Sequence, residues 1–75
     1  MVLEKIRSLL SEQLDIDIDE ISAQTKIIED LGADSLDVVE MMMDLEEEYG
    51  ISAEEDDLKG LVTVADVAAF IEARL

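Results

Sequence analysis

Asp34-Ser35-Leu36-Asp37-Val38-Val39-Glu40-Met41-Met42-Met43-Asp44-Leu45-Glu46-Glu47-Glu48-Tyr49-Gly50 is the stretch on which the fold turns. At roughly 100° per residue, Val38, Met41, Met42, Leu45 and Tyr49 fall on one side, as on a helix that faces a core. Asp34 is a natural N-cap. Asp37, three residues on, can reach back as the acid of a capping box. Gly50 suits the end of the helix. The spacing therefore predicts a helix from Ser35 to Tyr49. Leu36, Val39 and Met43 form a second apolar stripe, displaced by somewhat over a third of a turn. Glu40 and Glu47 lie just beyond that stripe, and Glu46 lies between it and the core side.

Working outward, Val2, Ile6, Leu9, Leu10 and Leu14 recur at helical spacing, which predicts a first helix over 2–14. Residues 15–34 form a long connection whose Ile21, Ile27, Ile28 and Leu31 are expected to pin it to the core. Within it, Asp15-Ile16-Asp17-Ile18-Asp19 alternates like a short strand but has no partner strand. After Gly50 a short helical turn is expected near 56–61. Thr63 then caps a last helix over 64–74, with Val64, Val67, Ala68 and Ile71 on one face. These elements predict an all-α fold: a four-helix bundle of three main helices and one short helix, with a long loop between helices one and two. Seventy-five residues make one domain, 1–75, because a domain of this size buries only about 60% of its unfolded surface and has no room for a second core.

Composition removes whole classes of function. There is no His and no Cys, so Ser–His and Cys–His nucleophilic pairs, thiolate or imidazole zinc sites and disulfides are all excluded. The 21 acidic and 5 basic residues give a net charge of −16. That charge opposes binding to nucleic acid or anionic lipid, and favours partners with Lys/Arg patches. High acidity also accompanies disorder, but 49% apolar residues in periodic array argue for a folded core. No stretch approaches the ~20 apolar residues of a membrane span. The N-terminal segment carries Glu4, Lys5, Arg7 and Glu12, unlike a secretory signal. A cytoplasmic location is expected, and the mature form of an organellar protein would read the same.

Two features admit two readings each. Ser35 beside Asp34 reads locally as part of a helix cap. A helix N-terminus also favours phosphate, since free backbone N–H groups point at it, although Asp34 adds opposing charge. Leu36, Val39 and Met43 either widen the core stripe under a neighbouring helix or form a small apolar dock rimmed by carboxylates. Methionine suits the second use, because its flexible side chain repacks against different partners.

The string Asp30-Leu31-Gly32-Ala33-Asp34-Ser35-Leu36-Asp37 resembles the prosthetic-group attachment motif of acyl carrier proteins, whose core is Asp-Ser-Leu. The likeness continues through Val39-Glu40 and Leu45-Glu46-Glu47-Glu48-Tyr49, and is greatest to the free-standing carriers of bacterial-type fatty acid synthesis. It implies a four-helix bundle with a long first loop. It implies that a phosphopantetheinyl transferase moves 4′-phosphopantetheine from coenzyme A to Ser35, flanked by Asp34 and Leu36. Acyl chains would then ride as thioesters on the arm's thiol, to be delivered to fatty acid synthesis enzymes through basic docking patches. The carrier itself would catalyse nothing and is expected to be a monomer. Asp34, Leu36, Asp37, Val39, Glu40, Met43, Glu46 and Glu47 match the family's partner-recognition positions. Val38, Met42, Leu45 and Leu61 are candidates to line a shelter for the acyl chain, or are plain core. Departures from the pattern are Ile27 at a position often aromatic, Ile51-Ser52-Ala53 where Pro is frequent, and the run Met41 to Met43.

Rival readings are weaker. Asp15-x-Asp17-x-Asp19 begins like an EF-hand loop, but Glu20 stands where Gly is needed and Lys26 where Glu is needed. No metal site is expected beyond weak divalent binding to clusters such as Glu54 to Asp57. A carboxylate-pair hydrolase lacks any marked pair of acids with split ionisation. Gly32-Ala33-Asp34-Ser35-Leu36 lacks the second glycine of a nucleophile elbow. A polyketide-type or peptidyl-type carrier shares the arm, and an acidic interaction subunit of a larger assembly would share the dock.

Overall fold

The computed structural model describes residues 2–75, so Met1 lies outside the described residues. The described residues form five α-helices in succession: α1 (Val2–Leu14), α2 (Ile27–Leu31), α3 (Ser35–Tyr49), α4 (Glu55–Leu58) and α5 (Val64–Ala73). A 3₁₀ turn at Ile18–Glu20 interrupts the first connection. The described residues contain no strand, only an isolated bridge between Lys26 and Thr63.

The amphipathic stripes meet in one core. Ile6 and Leu10 of α1, Met41, Met42 and Leu45 of α3, and Val64, Val67 and Ile71 of α5 are fully buried, with Val2 and Val38 close behind. Leu9, Leu14 and Tyr49 pack at its edge. Each such aliphatic side chain removed from water stabilises by about 1.5–3 kcal/mol, which is what holds three helices this short together. α1 crosses both α5 and α3.

The long connection is more structured than the sequence suggests. Asp15 to Asp19 forms no strand: the Asp17 carboxylate accepts the Asp19 N–H at 3.0 Å and caps the 3₁₀ turn. Arg7 then clamps this turn to α1, its guanidinium donating to the carbonyls of Ile21 (2.6 Å) and Ile18 (2.9 Å). Residues 27–31, expected as loop, form α2. Ile21 and Ile27 are buried as expected and Leu31 is half-buried, but Ile28 is 49% exposed. Successive residues on a helix point about 100° apart, and this short helix meets the core along a narrow face, so Ile27 is buried and Ile28 is left outside. The short helix after Gly50 spans Glu55–Leu58 rather than 56–61, and α5 ends at Ala73, one residue earlier than expected.

The connection is tied to the start of α5 by backbone bonds: Ile27 N–H to Val62 C=O (3.0 Å), Val64 N–H to Thr25 C=O (3.1 Å) and Ala65 N–H to Ala23 C=O (2.9 Å). These bonds bring α2, the start of α3, and the α4–α5 junction to one end of the bundle.

Candidate functional site

Ser35 is the first residue of α3 and is exposed. Its position is set from both sides. Upstream, α2 ends at Gly32, whose φ of 74° is the left-handed region glycine tolerates best. Ala33 is 3% exposed and pins the turn to the core. Downstream, Asp34 and Asp37 cap one another: the Asp37 N–H donates to Asp34 Oδ1 (3.0 Å) and the Asp34 N–H donates to Asp37 Oδ2 (3.1 Å). From α1, Gln13 Nε2 donates to the Asp37 carbonyl at 2.8 Å and so braces the first turn of α3.

The two stripes of α3 separate. Val38, Met41, Met42 and Leu45 are buried. Leu36 is 63% exposed, Met43 60% and Val39 37%, so no neighbouring helix covers them. Glu40 and Glu47 are exposed at their margin, and Asp37 is half-buried in its cap. Glu46 differs from its acidic neighbours, because its Oε2 accepts the Ala53 N–H at 2.9 Å and anchors the turn after α3.

An open groove of about 480 Å³ begins at Ser35 and runs between α2, α3 and the α4–α5 junction. Ile28, Val38, Val39, Leu58, Leu61 and Val62 give it apolar walls, and Lys26, Glu29, Glu55 and Lys59 also line it. Of the four residues that sequence reading set out as acyl lining, Val38 and Leu61 line this groove. Met42 and Leu45 do not: they are buried in the core behind it, 1% and 0% exposed. Ile28, Leu58 and Val62 line the groove without having been picked out as lining. In the Ile27-Ile28 and Leu61-Val62 pairs the first member is buried and the second exposed, so Ile28 and Val62 are free to face the groove. Among the described residues, no group of three or more carboxylates is placed to hold a metal ion. Among the described residues, no helix is long and apolar enough to cross a membrane either.

A family model described as a phosphopantetheine attachment site matches residues 4–71. The chain is 40% identical to the acyl carrier protein of Thermotoga maritima over 74 residues, which is 99% of this chain and 91% of that one. The chain belongs to the acyl carrier protein family. Its identity to the acyl carrier protein of Akkermansia muciniphila is 48% over 69 residues, 92% of this chain and 86% of the other. A solved acyl carrier protein of Enterococcus faecalis has the same fold, with a TM-score of 0.84 at 32% identity, covering 99% of this chain and 94% of that one.

The cofactor of an acyl carrier protein is 4′-phosphopantetheine, and the residues here fit it. Ser35 offers an exposed hydroxyl on a braced helix start, and it stands at the mouth of a groove whose walls are largely apolar. When bound, the group supplies the thiol that this cysteine-free chain lacks.

Proposed function

We infer that Ser35 is the attachment point of 4′-phosphopantetheine, and that the chain, as one domain, carries growing acyl chains for fatty acid synthesis. The supporting observation is the placement of Ser35: an exposed nucleophile, on the Asp-Ser-Leu motif, opening onto the apolar groove. In loading, Ser35 Oγ forms the new P–O bond to the β-phosphorus of coenzyme A. The bond from that phosphorus to the adenosine bisphosphate part breaks, and the serine proton leaves with the transferase's base. The chain's own residues then do no bond-making. Asp34 and Asp37 hold the helix start, and the groove walls offer apolar cover to an acyl chain. Without His or Cys, and with its acids solvated, the chain acts as carrier and not as enzyme.

Partners in this reading are the phosphopantetheinyl transferase and the synthesis enzymes. They dock on Leu36, Val39 and Met43 and read Asp37, Glu40, Glu46 and Glu47 with basic side chains. Exposed apolar side chains among carboxylates suit such a surface, because charge steers the encounter and the apolar centre holds it. The chain works as a monomer in the cytoplasm.

Incubation with coenzyme A, magnesium and a promiscuous transferase tests the reading by intact mass. One phosphopantetheinyl group is expected on the native chain and none on Ser35→Ala. A folded, unmodified chain that gains nothing would overturn it.

A further inference from the structure

Charge is distributed unevenly about Ser35. The chain holds 21 acids and 5 bases, yet the lining of the groove carries two lysines and two glutamates. Lys26 stands immediately before α2 on one wall, and Lys59 immediately after α4 on the other. On the opposite side of Ser35, along α3, stand Asp34, Asp37 and Glu40 with no cation among them. Both lysines are held loosely. Lys26 pairs with Glu29 at 3.5 Å and Lys59 with Asp56 at 3.5 Å, and all four side chains are half or more exposed. Exposed pairs of this kind are weak and leave the ammonium groups free to turn.

We propose that Lys26 and Lys59 are positioning residues for the prosthetic arm: they draw its phosphodiester toward the groove and so set the arm along the apolar walls rather than out over α3. The inference rests on Ser35 as the attachment point. A phosphodiester on Ser35 is an anion placed between a face that carries acids alone and a face where two ammonium groups offset the carboxylates of Glu29 and Glu55. Coulomb attraction and repulsion act in the same direction, and at short range on a protein surface neither is negligible. Lysine suits this task as a mobile point charge on a long stem, with no demand for bidentate geometry. Once the phosphate leans to that side, the rest of the arm meets Ile28, Val39 and Val62 as the first apolar surface.

The test compares methyl NMR spectra of the apo and arm-bearing forms, labelled at isoleucine and valine. Mass first establishes that the arm is on and that Ser35→Ala lacks it, so a failure of attachment is seen separately. In the native chain, attachment is expected to shift the Ile28 and Val62 methyls well beyond those of buried Ile6. In a Lys26→Gln/Lys59→Gln chain those shifts are expected to fall to less than half. Lys26→Arg/Lys59→Arg should keep them, and about 1 M salt, with a screening length near 3 Å, should diminish them in the native chain. Lys5→Gln, which removes a cation from α1 away from the groove, should leave them intact. Lys59→Gln alone serves if the double variant folds poorly. Undiminished Ile28 and Val62 shifts in the glutamine variants, or no such shifts in the native arm-bearing chain, overturn the proposal.

Discussion

Asp34 and Asp37 hold each other's backbone: each carboxylate accepts the other's N–H, at 3.0 and 3.1 Å, around the first turn of α3. Two like-charged side chains thus satisfy two donors that a helix start leaves without partners. Asp34→Ala is expected to cost about 1 kcal/mol, a fall in Tm of roughly 4–8 °C for a domain of this size, read by thermal unfolding. Asp34→Ser keeps an acceptor and sheds one negative charge, so it should hold or raise Tm. An alanine variant as stable as the native chain would show that the cap contributes nothing.

Arg7 is the clamp of the long connection. Its guanidinium donates to two carbonyls of the 3₁₀ region and to Glu4 at 2.8 Å. Hydrogen bonds from a charged group contribute about 1.5–3 kcal/mol, so Arg7→Ala should destabilise by ~2 kcal/mol. Amide exchange should accelerate first at 18–21. Lysine cannot reproduce the planar fork, so Arg7→Lys should recover little. Slow exchange at 18–21 in Arg7→Ala would remove the clamp from the account.

Leu36 and Met43 have no packing to lose. Leu36→Ala and Met43→Ala should leave unfolding free energy within about 0.5 kcal/mol of native, while weakening association with a ketosynthase or transferase. Glu40→Lys should act on the same association through its rate of encounter, with an effect that shrinks in salt. Native affinity in all three variants would place the dock elsewhere.

Asp66 caps α5 against Thr63. Its carboxyl is held below the ordinary 3.8, first by the Thr63 backbone N–H and then by that of Val62, at 3.0 and 3.1 Å. A folded-state value below the unfolded one contributes stability that is fully present above the unfolded value and lost as pH falls through the folded one. The stability gap between the native chain and Asp66→Ala is therefore expected to be full at neutral pH and to close in strong acid. A gap that does not change with pH would mean the ionised cap plays no part.

Net charge itself is testable. With −16 on 75 residues, self-repulsion opposes the folded state, and the five exposed or half-exposed ion pairs among the described residues relieve little of it. Tm should rise from low to moderate salt, and further with a divalent cation. A flat or falling Tm would show that repulsion is not a governing term.

Helices with an uninterrupted stripe and clear caps could be read from sequence alone. α1 and α3 have the expected ends, Val2–Leu14 and Ser35–Tyr49, because in α3 Asp34, Asp37 and Gly50 mark both boundaries. α2 was not legible. It has five residues, and Lys26, the residue before them, makes no side-chain cap, so only Gly32 at its end gave a sign. Ser35 was visible as a motif, and Leu36, Val39 and Met43 as a stripe apart from the core face, which the structure leaves exposed. The groove was legible only in Val38 and Leu61, because its other walls come from Ile28, Leu58 and Val62, residues far apart in the chain that a tertiary junction brings together.

That junction bears on the order of events in the cell. The segment before Ser35 is bonded to Val62, Val64 and Ala65, residues made long after the serine. A growing chain that has emerged only as far as Gly60 has the serine but not the partner that sets α2 beside it. Its serine should therefore stay a poor acceptor, and a chain ending at Gly60 should remain unloaded under conditions that load the full chain. Modification would then follow completion, so that no arm is spent on an unfinished carrier.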